Sequence, residues 1–397
     1  MDMTNTRQCE TAFRNTWGRA PQEVLFCPYR IAPLGAHVDH QMGKVTGMAV
    51  DQGSLLAYEA GTDGTIELRS LNYRHHIKEE LSTSFLHKTG NWTDYVRGAV
   101  MVMMRRYGIR RGISGILEGT LPAGGLSSSA SVTVCVIRAL AKANEIAMSE
   151  GELISAALET ENEFVGVKCG KLDPSCEVYS RKGHLLYLDC LTDERRLIRQ
   201  PETARPFRIA VLFSGVSDSL VRSDYNRRRE ECARAAQLLS EYAGLDKEIW
   251  NGERTFRDVP EDVFLAYGER LEAPLRKRAE HYYSEIRRVE QGAQAWERGD
   301  TVSFGRLMFE SGRSSIEHYE CGSEQLIALY RIMTETDGIL GGRFSGAGFR
   351  GYCLALTDPD RTEQIEARVR EAYLKRFPEL KDRFLIRFCT SADGVIL

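Results

Sequence analysis

The stretch Leu121–Leu140, LPAGGLSSSASVTVCVIRAL, decides how this chain is read. Upstream, Gly112–Glu118 (GISGILE) alternates as a short strand does. Downstream, Val132, Val136, Ala139 and Leu140 recur at helical spacing. Between them stand Gly124, Gly125, Leu126 and the serines Ser127, Ser128 and Ser129. Glycines admit backbone conformations closed to other residues and let a ligand approach the main chain. The serines fall where a helix start leaves N–H groups unpaired and carries partial positive charge. A capped helix after a glycine turn would explain Gly-Leu-Ser alone. Three serines after paired glycines at a strand–helix junction favour a phosphate cradle.

The cradle is not the common phosphate loop. Gly43-Lys44 and Gly170-Lys171 lack both the upstream glycine and the following Ser or Thr of GxxxxGK[ST]. Hydroxyls, not a loop lysine, would therefore meet phosphates and magnesium. A second glycine cluster, Gly341–Leu356 (GGRFSGAGFRGYCLAL), contains GxGxxG at Gly346–Gly351. The dinucleotide fingerprint needs a strand before it and a helix after it, and here Tyr352–Leu356 is itself strand-like. These glycines are expected to form a loop that presses a backbone against a ligand or against the other domain.

Composition narrows the class. At 397 residues two domains are the natural prior. Lys plus Arg is 53 against 56 Asp plus Glu, a net charge of −3 that gives no reason to expect a nucleic-acid or membrane partner. The N-terminus is polar, without an apolar signal core, and no apolar run is long enough to span a bilayer. The ten cysteines are scattered, without CxxC pairs, and read as reduced small residues. A cytoplasmic location is expected.

Taken in order, residues 7–20 suggest an amphipathic helix and Glu23–Arg30 (EVLFCPYR) a strand. Ala32–Val50 is a glycine-punctuated turn running into another strand. His37, Asp39 and His40 cluster on that turn, as a polar loop, a metal site or a sugar site, since a carboxylate beside an imidazole pairs with hydroxyls. Trp92–Arg105 suggests a helix with Trp92, Tyr95, Val96 and Ala99 on one face. A further helix over Glu150–Phe164 puts Glu159 and Glu163 on a solvated face, while Glu161 points elsewhere and could face inward. Gly170 and Asp173 are placed in a turn before a strand at Gly183–Asp189, where an Asp before Pro174 is an ordinary turn former. Gln200–Pro206 (QPETARP) is the expected linker between an N-terminal domain, residues 1–200, and a C-terminal domain, residues 207–397. Beyond it come a strand at Phe207–Phe213 and helices over Tyr225–Ala243, Glu261–Gly299 (interrupted at Pro274), Phe304–Tyr319 and Ser323–Asp337. The Arg-rich faces, such as Arg227–Arg229, carry interleaved acids and read as solvated.

Three stretches in this order resemble the signature motifs of the GHMP small-molecule kinases, and within that group the galactokinases. Arg30-x4-Gly35-x-His37-x-Asp39 is similar to the family's sugar motif, Gly125–Ala130 (GLSSSA) to its phosphate loop and Ser345–Gly351 (SGAGFRG) to its third motif. Cys169-Gly170-x-x-Asp173, SDYNRRREEC around Tyr225 and RLMFESGRSS at Arg306–Ser315 also match. The resemblance implies a two-domain α+β fold with its active site in the cleft between domains. It implies Asp173 as the base for the sugar C1 hydroxyl, and Arg30 as the cation that keeps that carboxylate charged and steadies the transferred phosphoryl group. Ser129 and Glu161 become magnesium ligands, Gly124–Ser128 wrap the ATP phosphates, and His37, Asp39, Gly170 and Tyr225 touch the sugar. Phosphoryl transfer needs positioning and charge neutralisation more than covalent chemistry, so the set is coherent.

One departure points to the substrate. Where galactokinases have Gly-Glu-His-Thr-Asp-Tyr, this chain has Gly35-Ala36-His37-Val38-Asp39-His40. The family's glutamate reaches the sugar O6. Like charges about 4 Å apart at an effective dielectric of ~20 repel by roughly 4 kcal/mol, so Ala36 removes a repulsion that a C6 carboxylate would meet. The changed motif, with FSGAGFRG and Ile316–Gly322 (IEHYECG), is most similar to the galacturonokinases. Pro174 stands where galactokinases have Gln, and the PAGG loop is one residue shorter than theirs. The expectation is an ATP- and magnesium-dependent sugar-1-kinase acting on D-galacturonate. Galactokinase itself and a non-catalytic sugar sensor are the alternatives; the retained Ser127–Ser129, Asp173 and Arg30 argue against the sensor. Lys171 and Arg222 are basic candidates for a C6 carboxylate, each also readable as a surface charge.

Overall fold

The computed structural model describes residues 3–81, 87–167, 169–217, 224–245 and 253–395. The first part of the chain runs α1 (Met3–Trp17), β1 (Glu23–Ile31), β2 (Lys44–Ala60), β3 (Thr65–Ser70), β4 (Ile77–Glu80), α2 (Thr93–Tyr107), β5 (Ile113–Gly119) and α3 (Ser128–Ala143). It continues through α4 (Glu150–Glu159), α5 (Leu172–Tyr179), β6 (His184–Asp189) and β7 (Arg195–Arg199). After residues 200–207 come β8 (Arg208–Phe213), α6 (Tyr225–Ala243), α7 (Glu261–Tyr267), α8 (Ala273–Glu297), α9 (Thr301–Glu317) and α10 (Glu324–Thr334). The chain ends in β9 (Ile339–Phe344), β10 (Tyr352–Thr357), α11 (Thr362–Arg376), β11 (Leu385–Cys389) and β12 (Ser391–Ala392).

The 17-residue β2 is the spine of the first sheet. From Met48 to Tyr58 it pairs antiparallel with β1, Arg30 opposite Ala49. On its other edge Ser54–Ala60 pair with β5, Ser391 and Ala392 with Val50 and Ala49, and Lys44–Gly47 with β6. The main path is β4-β3-β5-β2-β6-β7, with β3 and β5 parallel. The second sheet is antiparallel, in the order β11-β8-β10-β9. Both sheets are covered by helices that bury an apolar stripe. α3 contributes Val134, Val136, Ile137 and Leu140 to one core with Leu56, Leu68 and Leu117. Residues of α6, α8, α10 and α11 pack with Leu212, Cys353 and Ala355 of the second sheet. The architecture is α+β, as the resemblance implies.

Two helices differ from the sequence expectation, both because of proline. The turn expected at Gly170–Asp173 runs straight into α5, with Asp173 and Pro174 in its first turn. The helix expected over Glu261–Gly299 breaks at Leu271–Glu272, so that Pro274 opens α8 instead of interrupting it. In a first helical turn the missing N–H of proline is no loss, because that N–H has no intrahelical partner. The amphipathic N-terminal helix starts earlier than expected, at Met3.

Candidate active site

The phosphate loop is held from three sides. The Arg30 N–H donates to the Leu126 carbonyl (3.2 Å), so β1 carries the loop on its edge. The Ser345 hydroxyl donates to the Gly125 carbonyl (2.7 Å) and the Tyr352 hydroxyl to that of Pro122 (2.9 Å). Across the loop, a Cβ on Gly346 would stand 2.8 Å from Gly125 Cα, and one on Gly351 would strike the Gly124 carbonyl. The glycine cluster at 346–351 is therefore a close-approach loop, as expected, and no helix follows it. Ser127 sits at the start of α3 with φ +65° and its side chain does not cap the helix. Its hydroxyl lies against Glu177, a fully buried carboxyl that burial pushes well above its ordinary pKa. A non-glycine residue in that conformation is strained, and the bland capped-helix reading does not account for it.

Arg30 joins this loop to Asp173. Its Nε and Nη2 donate to Asp173 Oδ1 and Oδ2 at 2.8 and 2.9 Å, and its Nη1 donates to the Gly125 carbonyl at 2.9 Å. Two more carboxyls flank Asp173. Burial, followed by the Asp173 charge, pushes Asp39 up to about 6 and Glu161 up to about 7. Glu161 is buried, on a π-helical turn (Thr160–Val165) that continues α4. That turn separates it from Glu159, which pairs with Arg105 and Arg106 on the outer face. The Ser129 hydroxyl interacts with the Glu161 carboxyl, and Glu161 Oε1 has no partner among the described residues. An orphaned carboxylate oxygen beside a hydroxyl fits a hard cation, so Ser129 and Glu161 suit magnesium. Tyr95 of α2, expected only as one face of a helix, also reaches Ser129.

The sugar motif is fixed by a residue some 250 positions away. Glu285 of α8 is buried, and its Oε1 accepts the N–H groups of Gly35 (2.8 Å) and Ala36 (3.0 Å) and the Ser311 hydroxyl (2.7 Å). Its Oε2 takes Arg288 Nε at 2.7 Å. His281 Nε2 donates to the Ala36 carbonyl (2.9 Å), leaving Nδ1 to accept from Ser314 (2.9 Å). Sequence reading missed Glu285 entirely; Ser311 lies in the matching segment RLMFESGRSS, but nothing there names its partner. Gly170 is required where it stands, since a Cβ would collide with the Asp39 carboxylate.

One cavity of about 1530 Å³ brings the expected residues together: Arg30, Ala36, His37, Asp39, Gly170 and Asp173 with Gly124, Gly125, Ser127–Ser129 and Tyr225. Leu126 is buried behind it and contributes its carbonyl. Glu161 is buried beside it. His37 lines the cavity, but its ring stacks on Tyr319 (3.9 Å, 2°) and its Nε2 meets Cys321 Sγ at 3.4 Å. Burial pushes its pKa well below the ordinary value, so the ring is neutral. His40 does not line the cavity. The Gln41 amide is oriented by Phe256 N–H donating to its Oε1, so its Nε2 donates to His40 Nδ1 and His40 Nε2–H goes to Tyr319. Lys171 is spent on Asp193 at 2.5 Å, and Arg222 lies outside the described residues.

The chain is similar to known proteins along most of its length. Residues 94–181 match the model of the GHMP kinases N terminal domain, and residues 293–375 that of the GHMP kinases C terminal. Galacturonokinase of Arabidopsis thaliana is 40% identical over 376 residues, 90% of this chain and 88% of the relative. The chain belongs to the GHMP kinase family. Among further relatives of this GHMP kinase, a galactokinase of Roseiflexus sp. (strain RS-1) is 30% identical over 99% of this chain and 97% of its own. The crystal structure of Lactococcus lactis galactokinase complexed with galactose superimposes with a TM-score of 0.87 at 25% identity, covering 98% of both chains. A mevalonate kinase shares the two-domain fold at TM-score 0.65 and 16% identity. No described helix of this kinase is long and apolar enough to cross a membrane.

Proposed function

We propose that this GHMP kinase transfers the γ-phosphoryl group of ATP to the anomeric hydroxyl of D-galacturonate. The observation that carries the reading is the Arg30 bridge, which ties the Asp173 carboxylate to the phosphate loop through one guanidinium. A hydroxyl that donates to Asp173 sits beside the group that phosphates meet, so the acceptor oxygen and the transferred phosphoryl face each other. Asp173 takes the C1 hydroxyl proton as the oxygen attacks, and the Arg30 charge steadies the phosphoryl group between them. Gly124–Ser128 and the N–H groups of the first turn of α3 hold the ATP phosphates. Ser129 and Glu161 would hold magnesium, whose charge would neutralise that of the phosphates. Asp39, Gly170 and Tyr225 contact the sugar hydroxyls, and His37 supports their loop through its stack on Tyr319.

Galacturonate is favoured over galactose because the loop offers a methyl group, Ala36, where a neutral sugar would use an acceptor, and because the 40% identical relative is named a galacturonokinase. The galactose-bound Lactococcus structure supports galactose as the second reading. Residues 1–200 and 207–397 form the two domains that flank the site, in a cytoplasmic enzyme whose partners are small molecules, neither nucleic acid nor membrane. The test is product analysis. Incubated with ATP, magnesium and galacturonate, the enzyme should give a phosphate ester whose phosphorus couples to H1 of the sugar. ATP consumption without that ester, or phosphate on another carbon, contradicts the reading.

A further inference from the structure

Arg343 of β9 is buried, at 2% exposure, yet it lines the same cavity as Ala36 and His37. A guanidinium carries five N–H donors in a rigid planar fork. Here Nη1 donates to the Ala32 carbonyl at 3.0 Å, and Nε is buried with no partner among the described residues. The nearby acid cannot serve, because Glu285 already accepts from Gly35, Ala36 and Ser311 on one oxygen and from Arg288 on the other. Arg343 acts electrostatically on His37, His281 and Glu285, the side chains packed around the Ala36 loop. Burial lowers its pKa, and the charge of Glu285, which acts on it without a hydrogen bond, does not make up the loss.

We infer that Arg343 is the specificity-determining residue that receives the C6 carboxylate of the sugar, an assignment that rests on the galacturonate reading. Ala36 leaves the space and Arg343 supplies the charge. A carboxylate presents two coplanar oxygens that match the edge of a guanidinium, and it would satisfy donors the protein leaves unmet. A neutral hydroxymethyl group satisfies fewer of them and leaves the buried cation uncompensated. The site therefore selects the acid by what the neutral sugar fails to pair.

The test compares wild type, Arg343→Gln and Arg343→Lys on galacturonate and on galactose, with ATP affinity and melting temperature measured alongside. The galacturonate-to-galactose ratio of kcat/KM should fall by ~100-fold or more in Arg343→Gln, chiefly through KM for galacturonate, with part of it retained in Arg343→Lys. Should Arg343→Gln fail to fold, Ala36→Glu gives an independent reading. A glutamate there would put a negative charge beside the place assigned to the C6 carboxylate, so galacturonate turnover should be lost and the galacturonate-to-galactose ratio should fall. A ratio unchanged in Ala36→Glu overturns the assignment. So does a ratio unchanged in Arg343→Gln. Wild-type preference for galactose refutes the substrate reading itself. Wild-type preference for galacturonate that survives Arg343→Gln refutes only the assignment to Arg343.

Discussion

Glu285→Gln removes one charge and almost no volume from the support of the sugar loop. Burial by itself would raise the pKa of Glu285, but Arg288 and Arg343, joined by His281 once that ring protonates at about 4 and below, overcome it and hold the carboxyl near 2, below its ordinary 4.5. At 1.36 kcal/mol per pKa unit, that depression amounts to about 3 kcal/mol in favour of the ionised, folded form. A depressed acid contributes stability above its unfolded pKa, so the term is complete at neutral pH and is lost as pH falls from about 4.5 towards 2. Glutamine keeps an acceptor for Gly35 and Ala36 but leaves Arg288 without its counter-charge. Taking about 2–3 °C per kcal/mol for a chain of this size, the melting temperature at pH 7 should drop by roughly 5–10 °C. The wild-type advantage should shrink as the comparison moves below pH 4.5. Because the loop carries Ala36 and leads into Asp39, KM for the sugar should rise while KM for ATP stays near wild type. A variant that melts with wild type and keeps its sugar KM would show that Glu285 does not hold the loop.

Asp173→Asn keeps the size of the side chain but cannot accept the proton, so turnover should fall about 10²–10⁴-fold with ATP affinity nearly unchanged; near wild-type turnover would leave Asp173 as no more than a residue of the first turn of α5. Glu161, pushed up to about 7, is largely protonated at pH 6 in the free enzyme, and a bound cation favours its ionised form. Magnesium–ATP binding at pH 6 should therefore release a proton that Glu161→Gln does not, read by calorimetry in buffers of different ionisation heat. Identical proton release in both proteins would place the ion elsewhere. The sign also runs through stability: a raised acid costs more as pH climbs from 4.5 through 7, so Glu161→Gln should gain most in thermal stability at the alkaline end of that range.

Local chemistry made the loops legible and hid what the tertiary structure brings together. Paired glycines followed by three serines can only be read as a special helix start, and α3 begins there at Ser128. Glu161 was readable as inward-facing because its helical phase differs from that of Glu159, and the π-helical turn carries the difference further. The two prolines mislead in one way: after Asp173 and in Glu261–Gly299 each reads as a turn or break, yet each lies in a first turn where it costs nothing. Glu285 and Arg343 carry no local signal. One is another acid on a charged helix and the other a cation in a strand, and their roles arise only because α8 and β9 pack against the loop at residues 35–36. His37 lines the cavity, but its stack on Tyr319 joins residues 282 apart in sequence, which spacing cannot reveal.

The most direct test of the account is a comparison of kcat/KM on galacturonate, galactose, glucuronate and glucose under equal conditions, with Ala36→Glu run beside wild type. Galacturonate should be the best substrate. Glucuronate should lag, since the contacts proposed for Asp39 and Tyr225 would read the axial 4-hydroxyl, and a site that hydrogen-bonds a hydroxyl rejects its absence strongly. Ala36→Glu should move the preference towards galactose by restoring an O6 acceptor and repelling the carboxylate. A wild-type preference for galactose of about tenfold or more, some 1.4 kcal/mol of transition-state binding, would contradict the galacturonate assignment and leave a galactokinase with an unusual loop.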